Sequence, residues 1–185
     1  MNRSLLQGGF DLVEHLIGHG IGAIIAGGCA RDLFFGVEPK DIDIICAGTD
    51  PETVSKALDE GGFTYEKFPK YHTGSDSDRL QGVWKIEGSN IDVILYETDC
   101  VSEAIQKFDY NLNQFAIVGI QRGIEGATIR YMGATPWTNL VRLREDARGS
   151  RAEKMEAKWL ALIDKAPMER GCYVLNQREV ADVVN

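Results

Sequence analysis

Ala26-Gly27-Gly28-Cys29-Ala30-Arg31-Asp32, followed shortly by Lys40-Asp41-Ile42-Asp43-Ile44, is the stretch whose reading decides the fold. Ala23-Ile24-Ile25-Ala26 leads into it as a short apolar run suited to a buried strand, and Gly27-Gly28 breaks that run. Residues 31–35 then read as a helix that stops at Gly36. After a turn at Pro39, residues 41–46 alternate polar and apolar before becoming wholly apolar, which is strand behaviour. Strand, glycine turn, helix and strand in this order place the chain among mixed α/β proteins.

The flanks extend the pattern. Phe10, Leu12, Val13, Leu16 and Ile17 predict a helix over 11–17, capped by Asp11 and ended by Gly18 and Gly20. Residues 51–58 predict another, with Asp50 as N-cap and Pro51 in its first turn. Residues 63–67 suit a strand, and 81–87 with 90–97 a hairpin across Gly88-Ser89. The polar stretch 73–79 reads as a mobile loop, and 101–108 as a helix. Strands are expected at 113–118 and 128–132, with a glycine-rich loop at Gly123 and Gly126 between them. Beyond Pro136 the character changes to a charged helix over 140–165, ended by Pro167. The chain therefore divides into a mixed body, 1–135, and a helical C-terminal extension, 136–185, packed on it.

Composition narrows the setting. A net charge of −8 argues against a protein that holds nucleic acid chiefly by neutralising phosphates. It is compatible with a nucleotide bound together with metal ions, where carboxylates are needed. No apolar run approaches the roughly 20 residues of a membrane span, and no basic segment leads into an apolar core as in a secretory signal. Cys29, Cys46, Cys100 and Cys172 are scattered without a C-x-x-C pair, so neither a zinc site nor a disulfide framework is indicated. A reducing, cytoplasmic environment is the expectation.

Asp41 and Asp43 are two residues apart on a strand, so their side chains leave one face. Two ionised carboxylates about 4 Å apart repel by roughly 4 kcal/mol at an effective dielectric near 20. A divalent cation removes that repulsion, and hard cations such as Mg²⁺ take oxygen ligands. Asp92 opens a later strand, and it completes a three-carboxylate site if that strand lies beside 41–46. Such a site suits two metal ions and phosphoryl transfer. The alternative is that Asp41 and Asp43 merely face solvent and Asp92 is unrelated. The Gly27-Gly28 turn favours the first reading, because backbone amides there can converge on an anion while Arg31 grips phosphate oxygens.

Residues 26–36 together with 40–44 resemble the head of bacterial tRNA CCA-adding enzymes and poly(A) polymerases, in the DNA polymerase beta nucleotidyltransferase superfamily. The resemblance implies a mixed, mostly antiparallel sheet flanked by helices. It implies that Gly27, Gly28, Arg31 and the adjoining Asp32 bind the triphosphate, and that Asp41, Asp43 and Asp92 ligate two Mg²⁺ ions, with Mn²⁺ as a substitute. Asp92 would also act on the attacking hydroxyl. Residues 107–116, Lys-Phe-Asp-Tyr-Asn-Leu-Asn-Gln-Phe-Ala, resemble the family's Arg-Arg-Asp-Phe-Thr-x-Asn-Ala segment, which helps place ribose and base. Asp109 and Asn113 keep its polar anchors, while Lys107 and Phe108 replace its arginines. Glu145-Asp146-Ala147-Arg148 is one residue too short for the family's Glu-Asp-x-x-Arg pattern, so nothing carries over from it. The family's RNA-holding body is not present in the sequence. Short heads of this kind are associated with phage and bacterial accessory genes.

The implied reaction moves a nucleoside monophosphate from an NTP, ATP or CTP foremost, to a hydroxyl of RNA or protein, releasing pyrophosphate. A protein partner or a second copy would then supply the acceptor surface. The alternative is a non-catalytic nucleotide-binding or partner-binding module. Three further features have two readings each. His15 and His19, one turn apart, suit either a metal or an ordinary helix face; His72 suits a surface loop or a nucleotide contact. Arg151, Lys154 and Lys158, after Arg142, Arg144 and Arg148, form either a solvated salt-bridged face or one turned toward acceptor or nucleotide phosphates. Trp84, Trp137 and Trp159 read as packing residues.

Overall fold

A first helix that begins well before Asp11 opens the structure. The computed structural model describes residues 3–69, 79–144, 150–165 and, for the backbone alone, 172–174. Helix α1 spans Arg3–Gly18, so Asp11 lies inside it rather than capping it, and accepts from Gln7 Nε2 at 2.8 Å. The helix runs through Gly8 and Gly9 because Leu6, Phe10, Leu12, Val13 and Leu16 form one buried face. Each such side chain contributes about 1.5–3 kcal/mol on burial, against about 1 kcal/mol lost per helical glycine. Gly9 has a packing role as well: a methyl group there would stand 3.0 Å from Ile42 Cδ1 and 3.2 Å from Ile25 Cδ1.

Strand β1 (Gly22–Ala26) turns at Gly27 into α2 (Gly28–Phe34), which starts earlier than predicted. Strand β2 (Ile42–Ala47) and helix α3 (Pro51–Glu60) follow, with the Asp50 side chain accepting from the Thr53 amide at 2.8 Å as its N-cap. Next come β3 (Tyr65–Pro69), β4 (Leu80–Ile86), β5 (Ile91–Tyr96) and α4 (Val101–Gln106). A 3₁₀ turn at Asn111–Asn113 precedes β6 (Phe115–Val118). The glycine-rich connection holds another 3₁₀ turn and the single turn α5 (Gly123–Gly126) before β7 (Thr128–Tyr131). Helix α6 (Arg151–Ile163) and strand β8 (Cys172–Val174) complete the described elements.

The strands form one sheet in the order β3-β4-β5-β2-β1-β6-β7-β8. Among the described strands β2 and β5 run parallel, and every other pairing is antiparallel. The expected mixed, mostly antiparallel sheet flanked by helices is thus the observed one. Helices α1, α2 and α3 pack on one face over Ile25, Ile42, Ile44, Val93 and Trp84. A smaller cluster of Ile45, Leu80, Tyr96, Ile105 and Phe108 lies on the other, under α4. No described helix is long and apolar enough to cross a membrane.

The C-terminal part departs most from expectation. Among the described residues of the predicted helix over 140–165, 151–163 are helical and 140–144 are not, and β8 extends the sheet where helix alone was expected. Residues 139–144 are not helical, because partners elsewhere in the chain satisfy their backbone groups. Leu143 N donates to Asp109 O at 2.6 Å, and Tyr110 pairs with Arg142. The fully buried Asn111 donates to the Asn139 carbonyl at 2.7 Å and accepts from Val141 N at 2.8 Å. A segment bonded this way gains nothing by coiling. Residues 73–78, His72 and 145–148 lie outside the described residues.

Candidate active site

Each edge of the site comes from a different part of the sheet. Gly27 adopts φ 89° and ψ −139°, a conformation for glycine, and turns the chain from β1 into α2. Its amide donates to Phe115 O at 2.9 Å, so of the two glycines only Gly28 offers its amide to an anion. Arg31, buried on α2, lies behind the turn. Its Nε donates to Asp32 Oδ1 at 3.0 Å and its Nη1 to Asn113 Oδ1 at 2.6 Å. Asn113 Nδ2 donates on to Asp109 Oδ1 at 3.3 Å, and Arg151 Nε, from α6, to Asp109 Oδ2 at 2.8 Å. Asp32, Arg31, Asn113, Asp109 and Arg151 therefore form one continuous, largely buried polar network.

The carboxylates meet on the neighbouring strands. Asp43 stands directly opposite Asp92 in the parallel ladder between β2 and β5. Asp41 precedes β2 by one residue and is exposed. Burial above all, and then the charges of Asp92 and Asp41, push the Asp43 carboxyl up to about 6, with Lys85 opposing them. Lys85 Nζ lies 3.4 Å from Asp92 Oδ2 and forms an ion pair with it. Among the described residues no three carboxylate, thiol or imidazole groups are already gathered as a metal-ligand set. The three aspartates still fit a hard divalent cation: all donors are carboxylate oxygens, and Asp43 carries an electrostatic penalty that such an ion relieves.

These groups border a cleft of about 370 Å³. Gly27, Gly28, Arg31, Asp43, Asp109 and Asn113 line it, above a floor of Ile45, Ile94, Tyr96 and Phe108. Asp32 touches it only through Arg31, and Asp41 and Asp92 are not among its lining groups. Phe108 stands where the related segment has arginine; its ring packs on Tyr96, centroids 5.9 Å apart, and makes an apolar wall. Anions held at the turn, a flat ring against Phe108 and charge neutralised at Asp43 are all within reach of one ligand.

Two arginines in the cleft went unassigned in the sequence reading. Arg79 ends the segment read as a loop, yet it is buried and donates through Nη1 to the Lys107 carbonyl. Nothing in its local sequence marks it. Arg151 carried a signal in its basic spacing with Lys154 and Lys158, but only tertiary structure brings it to Asp109. The histidine pair has ordinary partners: His15 Nε2 donates to Ala57 O at 2.7 Å, and His19 Nε2 faces Glu60 at 2.9 Å. Trp84 is fully buried, Trp137 packs edge-on to Phe34 and Phe35, and Trp159 Nε1 donates to the Trp137 carbonyl.

No family model and no curated protein matches this sequence. Solved structures do. The Bacillus stearothermophilus CCA-adding enzyme in complex with CTP aligns at 23% identity over 60% of this chain and 27% of its own, TM-score 0.42. The Thermotoga maritima CCA-adding enzyme complexed with tRNA aligns at 19% identity over 63% of this chain and 27% of its own, TM-score 0.47. A tRNA nucleotidyltransferase with a primer tRNA and an ATP analog aligns at 22% identity over 58% and 30%, TM-score 0.40. The likeness is one of fold. The chain spans less than a third of the length of these proteins.

Proposed function

We propose that this chain is a metal-dependent nucleotidyltransferase that moves a nucleoside monophosphate from an NTP to a hydroxyl acceptor. The observation that carries the reading is the register of β2 on β5, which sets Asp43 against Asp92 at the edge of an arginine-lined cleft. Like charges held opposite one another in a sheet are unfavourable. A site that keeps them, with Asp43 pushed up to about 6, suits a role in which a cation neutralises them.

In this reading Asp41, Asp43 and Asp92 hold Mg²⁺, whose charge offsets that of the triphosphate. Gly28 and Arg31 bind phosphate oxygens, with Arg31 oriented by Asp32 and Asn113. Phe108 and the Asn113–Asp109 pair border the nucleoside. The Asp92 carboxylate takes the proton of the acceptor hydroxyl. The hydroxyl oxygen bonds to the α-phosphorus as the bond to the pyrophosphate oxygen breaks, and pyrophosphate leaves. Residues 1–135 form the head that handles the nucleotide, and 136–185 an extension that closes its cleft through Arg151. The acceptor is an RNA 3′ end or a protein hydroxyl, and a second subunit or another protein completes its binding.

The test is label transfer. Wild-type protein and Asp43→Ala are incubated with α-labelled NTPs, Mg²⁺ and either total RNA or cell lysate. Label entering RNA or a protein band with the wild type alone is the expected result. Nucleotide bound tightly by the wild type without label in either acceptor would falsify the enzyme reading.

A further inference from the structure

A second cavity of about 500 Å³ adjoins the cleft, and Arg31 and Arg151 line both. Its other walls are Lys154, Met155, Ala157 and Lys158, all from α6. At 100° per residue, Arg151, Lys154 and Lys158 fall on the same side of α6 as the buried Met155 and Leu162. Glu153 and Glu156 fall on the opposite, solvent-facing side. The helix thus sorts its charges, bases toward the cleft and acids away from it.

Local bookkeeping of charge distinguishes the two lysines from the two arginines. Arg31 is paired with Asp32, and Arg151 with Asp109. Lys154 and Lys158 line the cavity with no carboxylate among its walls, and both are exposed. In a chain of net charge −8 this is a local positive site at the mouth of a cleft whose far end holds aspartates. A net-negative chain gains little from general attraction to nucleic acid, so a strand bound here relies on a few placed cations.

We propose that the Lys154–Lys158 face of α6 is the acceptor track, holding two backbone phosphates of a single-stranded RNA whose 3′ hydroxyl enters the cleft. This rests on the nucleotidyl-transfer reading and selects RNA between its two acceptors. Lysine suits the task, since it binds phosphate as a point charge without demanding one orientation of a strand that must move on after each transfer. The same phosphate chemistry could come from the triphosphate tail of the NTP, so the experiment separates the two.

Binding of a fluorescein-labelled oligoribonucleotide to the full chain is followed by anisotropy over a salt series, without turnover. The wild type is compared with Lys154→Ala/Lys158→Ala and with Lys154→Arg/Lys158→Arg; a fluorescent ATP analogue is titrated in parallel. The alanine pair is expected to weaken RNA at least tenfold and to lower the slope of log K against log salt by about 1.4, two contacts at about 0.7 each for single strands. The arginine pair should restore binding, and ATP-analogue affinity should change less than twofold. Unchanged RNA binding in the alanine pair overturns the proposal. An equal loss for RNA and nucleotide also overturns it and gives the lysines to the triphosphate. No RNA binding by the wild type overturns it too and leaves a protein acceptor. Because binding is read apart from label transfer, a chain that binds RNA through these lysines but transfers nothing would refute the enzyme reading alone.

Discussion

Asp43 and Asp92 are ladder partners in the parallel pairing of β2 with β5, one carboxylate facing the next across adjacent strands. The burial of Asp43 and their proximity make its ionised form costly, with Lys85 opposing. The folded value, about 6, exceeds the ordinary 3.8, so between these pH values the native state holds a proton that the unfolded state has lost. The stability that protonation brings is complete below about pH 4 and is lost as pH rises through about 6. Asp43→Asn is therefore expected to be more stable than wild type at pH 7.5 by about 2–3 kcal/mol, with the gap closing toward pH 4. Urea unfolding across this range measures it; a wild-type curve that is flat from pH 4 to 6.5 would rule the shift out.

Magnesium should reverse that penalty. Thermal melts at pH 7.5 are expected to rise with added Mg²⁺ for the wild type and hardly at all for Asp43→Asn. At pH 5 the rise shrinks, because a proton competes for the same carboxylate. Equal responses of the two proteins would mean the ion binds elsewhere.

Arg151 and Asp109 join the extension to the cleft by a partly buried ion pair, Nε to Oδ2 at 2.8 Å. Arg151→Ala leaves a buried carboxylate with one partner fewer and should cost about 1–3 kcal/mol. A double-mutant cycle with Asp109→Asn is expected to return a coupling of at least about 0.5 kcal/mol. Additive losses would show that the pair contributes little.

Asn111 fastens the segment before α6 through its bonds to Asn139 and Val141. Asn111→Ala should destabilise by about 2 kcal/mol and expose residues 136–144 to protease while the paired strands β1 and β2 stay protected. Hydrogen exchange read peptide by peptide distinguishes this from uniform loosening.

Gly27 at φ 89° has no room for a side chain's backbone preference. Gly27→Ala is expected to cost about 1–3 kcal/mol and to weaken nucleotide binding more than Gly62→Ala, which lies at a similar φ of 74° away from the cleft. Similar nucleotide affinities in the two variants would separate the turn from the ligand.

What residue order determined was local. Periodicity over 23–26 and 41–46, the cap at Asp50 and the Gly88-Ser89 hairpin are each settled by neighbours within a few residues, and the strands and α3 appear close to where they predict. The spacing of Asp41 and Asp43 likewise needs only the strand's period of two. The same local logic started the first helix at Asp11, whereas α1 runs from Arg3 because burying Leu6 and Phe10 outweighs the weak helix propensity of Gly8 and Gly9. It failed again at 139–144, where Asn111 offered the backbone a partner from far along the chain. Only tertiary structure decided that β5 lies beside β2, bringing Asp92 to Asp43, and that α6 returns Arg151 to Asp109. Those pairings join residues remote in sequence, and their energy comes from burial and charge across strands and helices rather than from any preference a short segment carries by itself.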